Sequence, residues 1–323
     1  MFRLNDQLKD KIYYTNSLNF FDPTSLTDIP KDRLVIVDKS GDAWGNQSDD
    51  FYNTLEGHGF NFLLLSHLPT DHLRRPRLLH YQPFNFYGQE FFTRIVTQTD
   101  IKKYKLSCLN LNPHPHRIKN YLLFKKKAYF NDCLFSFHTA RPEDLYQNYA
   151  QLSPEMSLEW QSCQDTLPSR YDLVAELNGA SGSDTIVHEA YTDSYVNLVT
   201  ESSVRPELFV TEKTWKPVAA AQLFLIFGTP GIIQYLREQG VDTFDDYINH
   251  DFYDSEPSWE ARLNKIHTVI DDLVTQDLAQ IYQATKQRRH LNQEKFFDGK
   301  LDNGFFKDLT AAITRYSCIN TQN

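Results

Sequence analysis

The chain has 323 residues, 41% of them hydrophobic and 14% aromatic, and its 33 Lys and Arg stand against 42 Asp and Glu for a net charge of −9. That apolar content supports packed cores and excludes a disordered or low-complexity chain, while the length favours two α/β domains of roughly 100–200 residues each. The opening stretch Met1 to Asp10 lacks a secretion signal's apolar core, and no run approaches the ~18 apolar residues of a membrane span, so a cytoplasmic location is expected.

In chain order, short apolar runs bounded by turn residues read as buried strands at Leu34–Val37, Phe60–Leu65 and Tyr104–Leu109. A helical pattern over Ile118–Lys127 leads to a strand at Cys133–Phe137, and the polar stretch Asn178–Asp184 reads as a loop. Then follow a strand at Tyr195–Val199, a helix at Trp215–Gln222, a strand at Leu223–Phe227, and helices at Ile232–Gln239, Trp259–Gln287 and Phe305–Arg315. This alternation predicts an α/β fold of parallel sheets flanked by helices, with a domain boundary near residues 95–105. The four cysteines, Cys108, Cys133, Cys163 and Cys318, form no C-x-x-C pair and read as reduced core residues.

Charge is unevenly distributed. Between Asp71 and Phe130 stand twelve Lys or Arg against three acids, a window of +9, so the remainder sums to −18. Arg74, Arg75, Arg77, Lys102, Lys103 and Lys105 belong to it. Such a region fits a polyanionic ligand, a diphosphate or a nucleic-acid backbone, and it also fits an ordinary solvated surface.

The segment Phe209-Val-Thr-Glu-Lys-Thr-Trp-Lys-Pro217 follows a strand and opens a helix. In parallel sheets, ligands sit beyond the carboxyl ends of the strands, where helix N-termini favour phosphate. With Thr214 as N-cap, Pro217 falls in the first turn, where no intrahelical N–H is needed, and Glu212 and Lys213 lie in the preceding loop. Lys213 would then neutralise a diphosphate and Glu212 accept hydrogen bonds from ribose or sugar hydroxyls; both are equally at home as helix-start surface residues. The two glycines of Gly228-Thr-Pro-Gly231 fit a tight turn or a close backbone approach at the next strand's end.

Phe209-Val-Thr-Glu-Lys213, with Ala219–Ala221 and Leu223–Gly228 behind it, resembles the Tyr/Phe-Val-Thr-Glu-Lys signature of the α1,3-fucosyltransferase-like glycosyltransferases and related phage and bacterial proteins. Upstream, Tyr104–Asn110 followed by Arg117 is similar to that family's strand, Asn-containing loop and Arg. Glu201-Ser-Ser203 stands where the family has Glu-Asn-Ser, so Ser202 replaces the Asn and GDP-fucose is not implied as the donor. The similarity spans roughly residues 104–245.

The resemblance implies a GT-B-like fold, two Rossmann-like domains facing a cleft. Residues 1–103 would form the acceptor side and 104–300 the donor domain, with 301–323 as a C-terminal helix packing back on the first. Donor contacts would come from Asn110, Arg117, Glu201, Phe209, Thr211, Glu212 and Lys213, with Arg117, Glu212 and Lys213 the catalytic candidates. Such enzymes need no metal or other cofactor beyond the nucleotide-diphosphate sugar, because cations and helix dipoles stabilise the departing diphosphate. Consistently, the chain has no Asp-x-Asp. His114-Pro-His116 is too small a ligand set for a metal.

Deprotonating the acceptor hydroxyl needs a general base, for which Asp38, His67, Asp71, His72, His80 and Glu90 are the candidates in the first third of the chain. Neither a Gly-x-Ser-x-Gly elbow nor a Gly-x-x-x-x-Gly-Lys loop occurs, which excludes the corresponding hydrolases and P-loop enzymes. Three functions compete: a sugar transferase acting on a glycan or small acceptor, a phage-type enzyme glycosylating hydroxylated bases in DNA, and a non-catalytic nucleotide-sugar or nucleic-acid binding protein. The DNA reading rests on Arg74-Arg-Pro-Arg77 and Lys102-Lys-x-Lys105.

Overall fold

The computed structural model describes residues 12–16, 34–39, 56–57, 62–66, 78–80, 100–110, 113–137, 152–163, 188–206, 208–298, 300–301 and 305–317. The chain divides into two compact units, Met1–Pro83 with Asp302–Asn323, and Phe84–Leu301.

The first unit carries four parallel strands in spatial order β1-β2-β3-β4: β1 (Ile12–Asn16), β2 (Leu34–Lys39), β3 (Phe62–Ser66) and β4 (Leu78–His80). Leu34, Val35, Ile36, Phe62, Leu63 and Leu65 are buried, as expected where a parallel sheet is covered on both faces. The C-terminal helix α10 (Phe305–Ser317) packs on β2 and β3. Its buried Leu309, Ile313 and Tyr316 recur at the four- and three-residue spacing of one helix face.

The second unit runs β5 (Tyr104–Asn110), α1 (Pro115–Lys125), β6 (Cys133–Phe137), α2 (Pro154–Cys163), α3 (His188–Thr192), β7 (Ser194–Thr200), α4 (Glu212–Ala219), β8 (Leu223–Phe227), α5 (Ile232–Glu238), α6 (Asp251–Asp254), α7 (Trp259–Val274), α8 (Leu278–Ala284) and α9 (Lys286–Phe297). Its sheet is parallel with order β6-β5-β7-β8. Every residue of β6, β7 and β8 is buried, which is why these strands appear in the sequence as largely apolar runs, interrupted inside β6 by Ser136 and inside β7 by Asn197. Thus the chain is α/β with parallel sheets, and six of its eight described strands coincide with those runs. Among the described residues, no helix is long and apolar enough to cross a membrane.

Two helical expectations change. The pattern over Trp259–Gln287 resolves into α7, α8 and the start of α9, broken where Asp277 accepts from the Gln280 backbone N–H and caps α8. Likewise the Trp215–Gln222 helix stops at Ala219, and Ala221 adopts φ 50° before β8 begins. That left-handed turn costs an alanine about 1 kcal/mol. It is held by Gln222 N–H donating to Pro217 O at 2.9 Å and by the Arg289 guanidinium on Ala221 O.

Buried histidines knit the second unit together. His250 sits between the Tyr253 hydroxyl at 2.6 Å and Thr243 O at 2.9 Å, and His267 bonds Asn120 Oδ1 at 3.0 Å. Burial pushes both down to about 4. A histidine depressed in the folded state stays neutral there while its unfolded counterpart takes a proton, so stability falls as pH drops from about 6.5 towards 4. Unfolding at pH 5 should take up about two protons through these side chains, read from the slope of denaturant stability against pH. A flat profile between pH 6 and 4.5 would contradict it.

Candidate functional site

From β5 the chain crosses to β6 on one side, then returns to lay β7 on the other. The loops after β5 and β7 therefore diverge, opening the kind of crevice in which open α/β sheets bind ligands. Asn110 and Thr200 end these two strands, and the Thr200 hydroxyl donates to Asn110 Oδ1 at 2.5 Å. Immediately beyond, α1 begins with His114 as N-cap and Pro115 at its first position, where the missing N–H costs nothing. His116 Nε2 donates to Glu201 O at 2.8 Å and Arg117 to Thr200 O at 2.8 Å, so α1 is fastened to the end of β7. Arg117 is 2% exposed. In this structure its guanidinium lies within the protein, against the strand end.

Helix α4 starts three residues earlier than the proline rule predicts. Thr211, not Thr214, is the N-cap, its hydroxyl accepting from Lys213 N–H at 3.3 Å. Pro217 consequently lies inside the helix, and Glu212 and Lys213 form its first turn instead of a preceding loop. A proline there removes one i→i−4 hydrogen bond. The overriding interaction is Glu201, whose fully buried carboxylate accepts from Thr211 N–H at 3.0 Å, Thr211 Oγ1 at 2.6 Å and Thr214 Oγ1 at 2.6 Å. Glu201 is thus enclosed by its own chain rather than presented to a ligand.

Lys213 and Glu212 remain accessible, with side chains 28% and 12% exposed, and pair at 2.7 Å. Burial pushes the Glu212 carboxyl up, but the Lys213 ammonium outweighs it, aided by Lys216 and a backbone N–H, and the group sits below the usual carboxylate range. Lys213 Nζ also donates to Thr211 Oγ1 at 3.3 Å. Two of the three ammonium donors are therefore held by these partners. Near them, burial together with the Arg117 and Lys213 charges brings the half-buried His114 down to about 4, leaving its imidazole neutral. The rings of His114 and His116 lie parallel at 5.6 Å, with His116 Nε2 already engaged by Glu201 O. Among the described residues no group of three His, Cys, Asp or Glu is placed to hold a metal ion.

The third wall is the turn after β8. Arg262 of α7 donates to Gly228 O at 3.0 Å and Val204 O at 3.2 Å, and Phe209 N–H donates to Thr229 Oγ1 at 3.1 Å. The β7–α4 loop and the β8–α5 turn are therefore tied. The amino end of α5 is filled by the protein itself: Asp254 accepts from Ile233 N–H at 3.1 Å and Gln234 N–H at 3.3 Å.

Other predicted residues lie elsewhere. Lys102, Lys103 and Lys105 stand at the amino end of β5, opposite Asn110 and roughly 20 Å along the strand from it. Lys102 is buried, donating to Thr192 O at 2.6 Å, and burial and the Arg289 charge bring it down to about 8. Lys103 lies 4.8 Å over the Tyr104 ring and Lys105 is 3.5 Å from Asp132. Asp38 is the penultimate residue of β2, in register with Asn16 and Leu65. His80 ends β4. His67, Asp71, His72, Arg74, Arg75, Arg77 and Glu90 fall outside the described residues.

Sequence reasoning missed Thr200 and Arg262 as parts of this site, and it took Thr214 as the N-cap where the structure has it donating to Glu201. A signal for Thr200 was present, since β5 and β7 both end on a polar residue directly after an apolar one, Leu109-Asn110 and Val199-Thr200; Arg262, within a continuous helical pattern, gave none. Comparison with known proteins returns no match: no family model, no curated protein and no solved structure is similar to the chain.

A Cβ on Gly228 would lie 2.6 Å from Ile232 Cδ1 and 3.0 Å from Glu201 Cβ and Cγ. The isoleucine tip can move, but the enclosed Glu201 cannot. Gly228→Ala should destabilise the protein by about 1–3 kcal/mol in denaturant unfolding. An unchanged midpoint would show that Glu201 has room to shift.

Proposed function

We propose that this protein is a nucleotide-sugar-dependent glycosyltransferase that transfers a sugar to a hydroxyl acceptor. The observation that carries this reading is the position of Lys213: an accessible ammonium in the first turn of α4, beside the switch point, with one N–H donor beyond those held by Glu212 and Thr211. The ammonium, at the positive end of the α4 dipole, favours a diphosphate there and would stabilise the negative charge it gains as the sugar leaves. The Thr-Glu-Lys signature lies on this turn.

In a GT-B transferase the 84–301 unit would hold the donor. Arg117 would then contribute through the end of β7, and Glu212 would accept from sugar or ribose hydroxyls. The acceptor side would fall to the other unit, where Asp38, at the carboxyl end of β2, and His80, at the end of β4, are the general-base candidates on described strands. For DNA as the acceptor, the described lysines of the basic motif sit at the opposite end of β5, and Arg74, Arg75 and Arg77 lie outside the described residues.

Incubating the protein with a panel of nucleotide sugars and hydroxyl acceptors should release nucleoside diphosphate. Lys213→Ala should weaken nucleoside diphosphate binding by about tenfold to a hundredfold, the worth of one charge-assisted hydrogen bond, as followed by calorimetry or thermal shift. Equal affinity in the variant, or no nucleotide binding by the wild type, would overturn the reading.

A further inference from the structure

The geometry points to Glu201 as the positioning residue of this site: its buried carboxylate sets the direction of the Thr211 hydroxyl bond and thereby fixes the backbone and ammonium of Lys213. The inference rests on the proposed role of Lys213 as the diphosphate-binding group.

A hydroxyl offers one proton and two lone pairs, and an ionised carboxylate only accepts. At Thr211 all three are used. Its proton goes to Glu201 Oε2 at 2.6 Å, and its lone pairs meet Lys213 N–H and Lys213 Nζ, each at 3.3 Å. Because Glu201 cannot donate, the Thr211 hydroxyl cannot turn round, and its acceptor face is held towards Lys213. The other carboxylate oxygen accepts from Thr211 N–H and Thr214 Oγ1, which fixes the start of α4 and prevents Glu201 from swinging away. At the backbone, Glu201 N–H donates to Phe227 O at 2.9 Å and Glu201 O accepts from His116. One residue therefore connects β7, β8, α1 and α4, and its influence reaches a ligand through Thr211 and Lys213 rather than by contact.

Substitutions separate this relay from mere packing. In Glu201→Gln, the amide that faces Thr211 Oγ1 presents hydrogens where a lone pair stood, so the hydroxyl must accept there and lose a bond to Lys213. Thr211→Val keeps the shape and removes the hydroxyl, whereas Thr211→Ser keeps the hydroxyl. On the full-length protein, Glu201→Gln and Thr211→Val should each weaken binding of guanosine or uridine diphosphate, whichever the wild type binds, by about tenfold. Thr211→Ser should stay within about twofold of wild type, and the Glu201→Gln/Thr211→Val double variant should be no weaker than the worse single one. Multiplying effects in the double variant, or a Thr211→Ser as impaired as Thr211→Val, would overturn the proposal.

Amide hydrogen exchange tests the same relay without a ligand. Protection of the first turn of α4 should drop in Glu201→Gln and Thr211→Val, and persist in Thr211→Ser and in β6. Unchanged protection in all variants would overturn the positioning role, whereas a wild type that binds no nucleoside diphosphate but shows this exchange pattern would overturn only the function proposed for Lys213. Should Glu201→Gln fail to fold, the Thr211→Ser and Thr211→Val pair decides the matter with Glu201 intact.

Discussion

A carboxylate with no solvent exposure must find its hydrogen bonds inside the protein, and Glu201 does so at the point where β7 gives way to its loop. Leaving such a charge unsatisfied would cost several kcal/mol, far more than the distortions needed to satisfy it. The surrounding chain accordingly conforms to the carboxylate. Helix α4 begins at Thr211 because the Thr211 N–H and hydroxyl and the Thr214 hydroxyl reach Glu201 together. The helix then carries Pro217 in its interior, a cost that a start at Thr214 would avoid. Three hydrogen bonds to a buried charge outweigh the one that the proline removes.

From this constraint the layout of the site follows. The switch point between β5 and β7 places Asn110 and Thr200 side by side, and α1 reaches across with His116 and Arg117 to cap the carbonyls of Glu201 and Thr200. Behind β8, Gly228 has no side chain because Glu201 and Ile232 occupy the space, and Arg262 closes the turn from α7. The amino end of α5 is already capped by Asp254. Among the described helices that follow a strand, α4 is the one that pairs an eight-residue body with an accessible cation in its first turn.

Much of this fold is visible in the residue pattern because the sheets are buried on both faces. Leu34–Val37 and Leu223–Phe227 are continuous apolar runs, and Cys133–Phe137 is broken by Ser136 alone. The strand Ile12–Asn16 escaped notice because it has four polar or semi-polar residues in five, Tyr13, Tyr14, Thr15 and Asn16, and Leu78–His80 because it is only three residues long. Helix breaks inside Trp259–Gln287 were hidden for a different reason: Asp277 caps α8 without any glycine or proline to mark the stop. At the site, the Glu212–Lys213 pair and the turn at Gly228 could be picked out locally. The roles of Glu201 and Arg117 could not, since both depend on partners 10 or 83 residues away, and burial rather than residue type decides whether such a group meets a ligand or the protein. The basic window shows the same limit. Lys102, Lys105, Lys126 and Lys127 are close in sequence, yet the fold sends them to Thr192, Asp132, Glu159 and Asp271 respectively.

Charge balance in the site bears on how a diphosphate would enter it. The charged side chains around it are Arg117, Lys213 and Arg262 against Glu201 and Glu212, and the neutral His114 adds no charge. Glu201 is locked behind Thr211 and Thr214, so the ion pair a ligand can reach is Glu212–Lys213, both partly buried. On the glycosyltransferase reading, an arriving diphosphate competes with Glu212 for the ammonium, and Lys213 can re-partner without moving its backbone because Thr211 still holds it. Glu212, released at the same step, becomes an acceptor for the hydroxyls that follow the phosphates into the site. A preformed ion pair of this kind exchanges one charge-assisted hydrogen bond for another when the ligand binds.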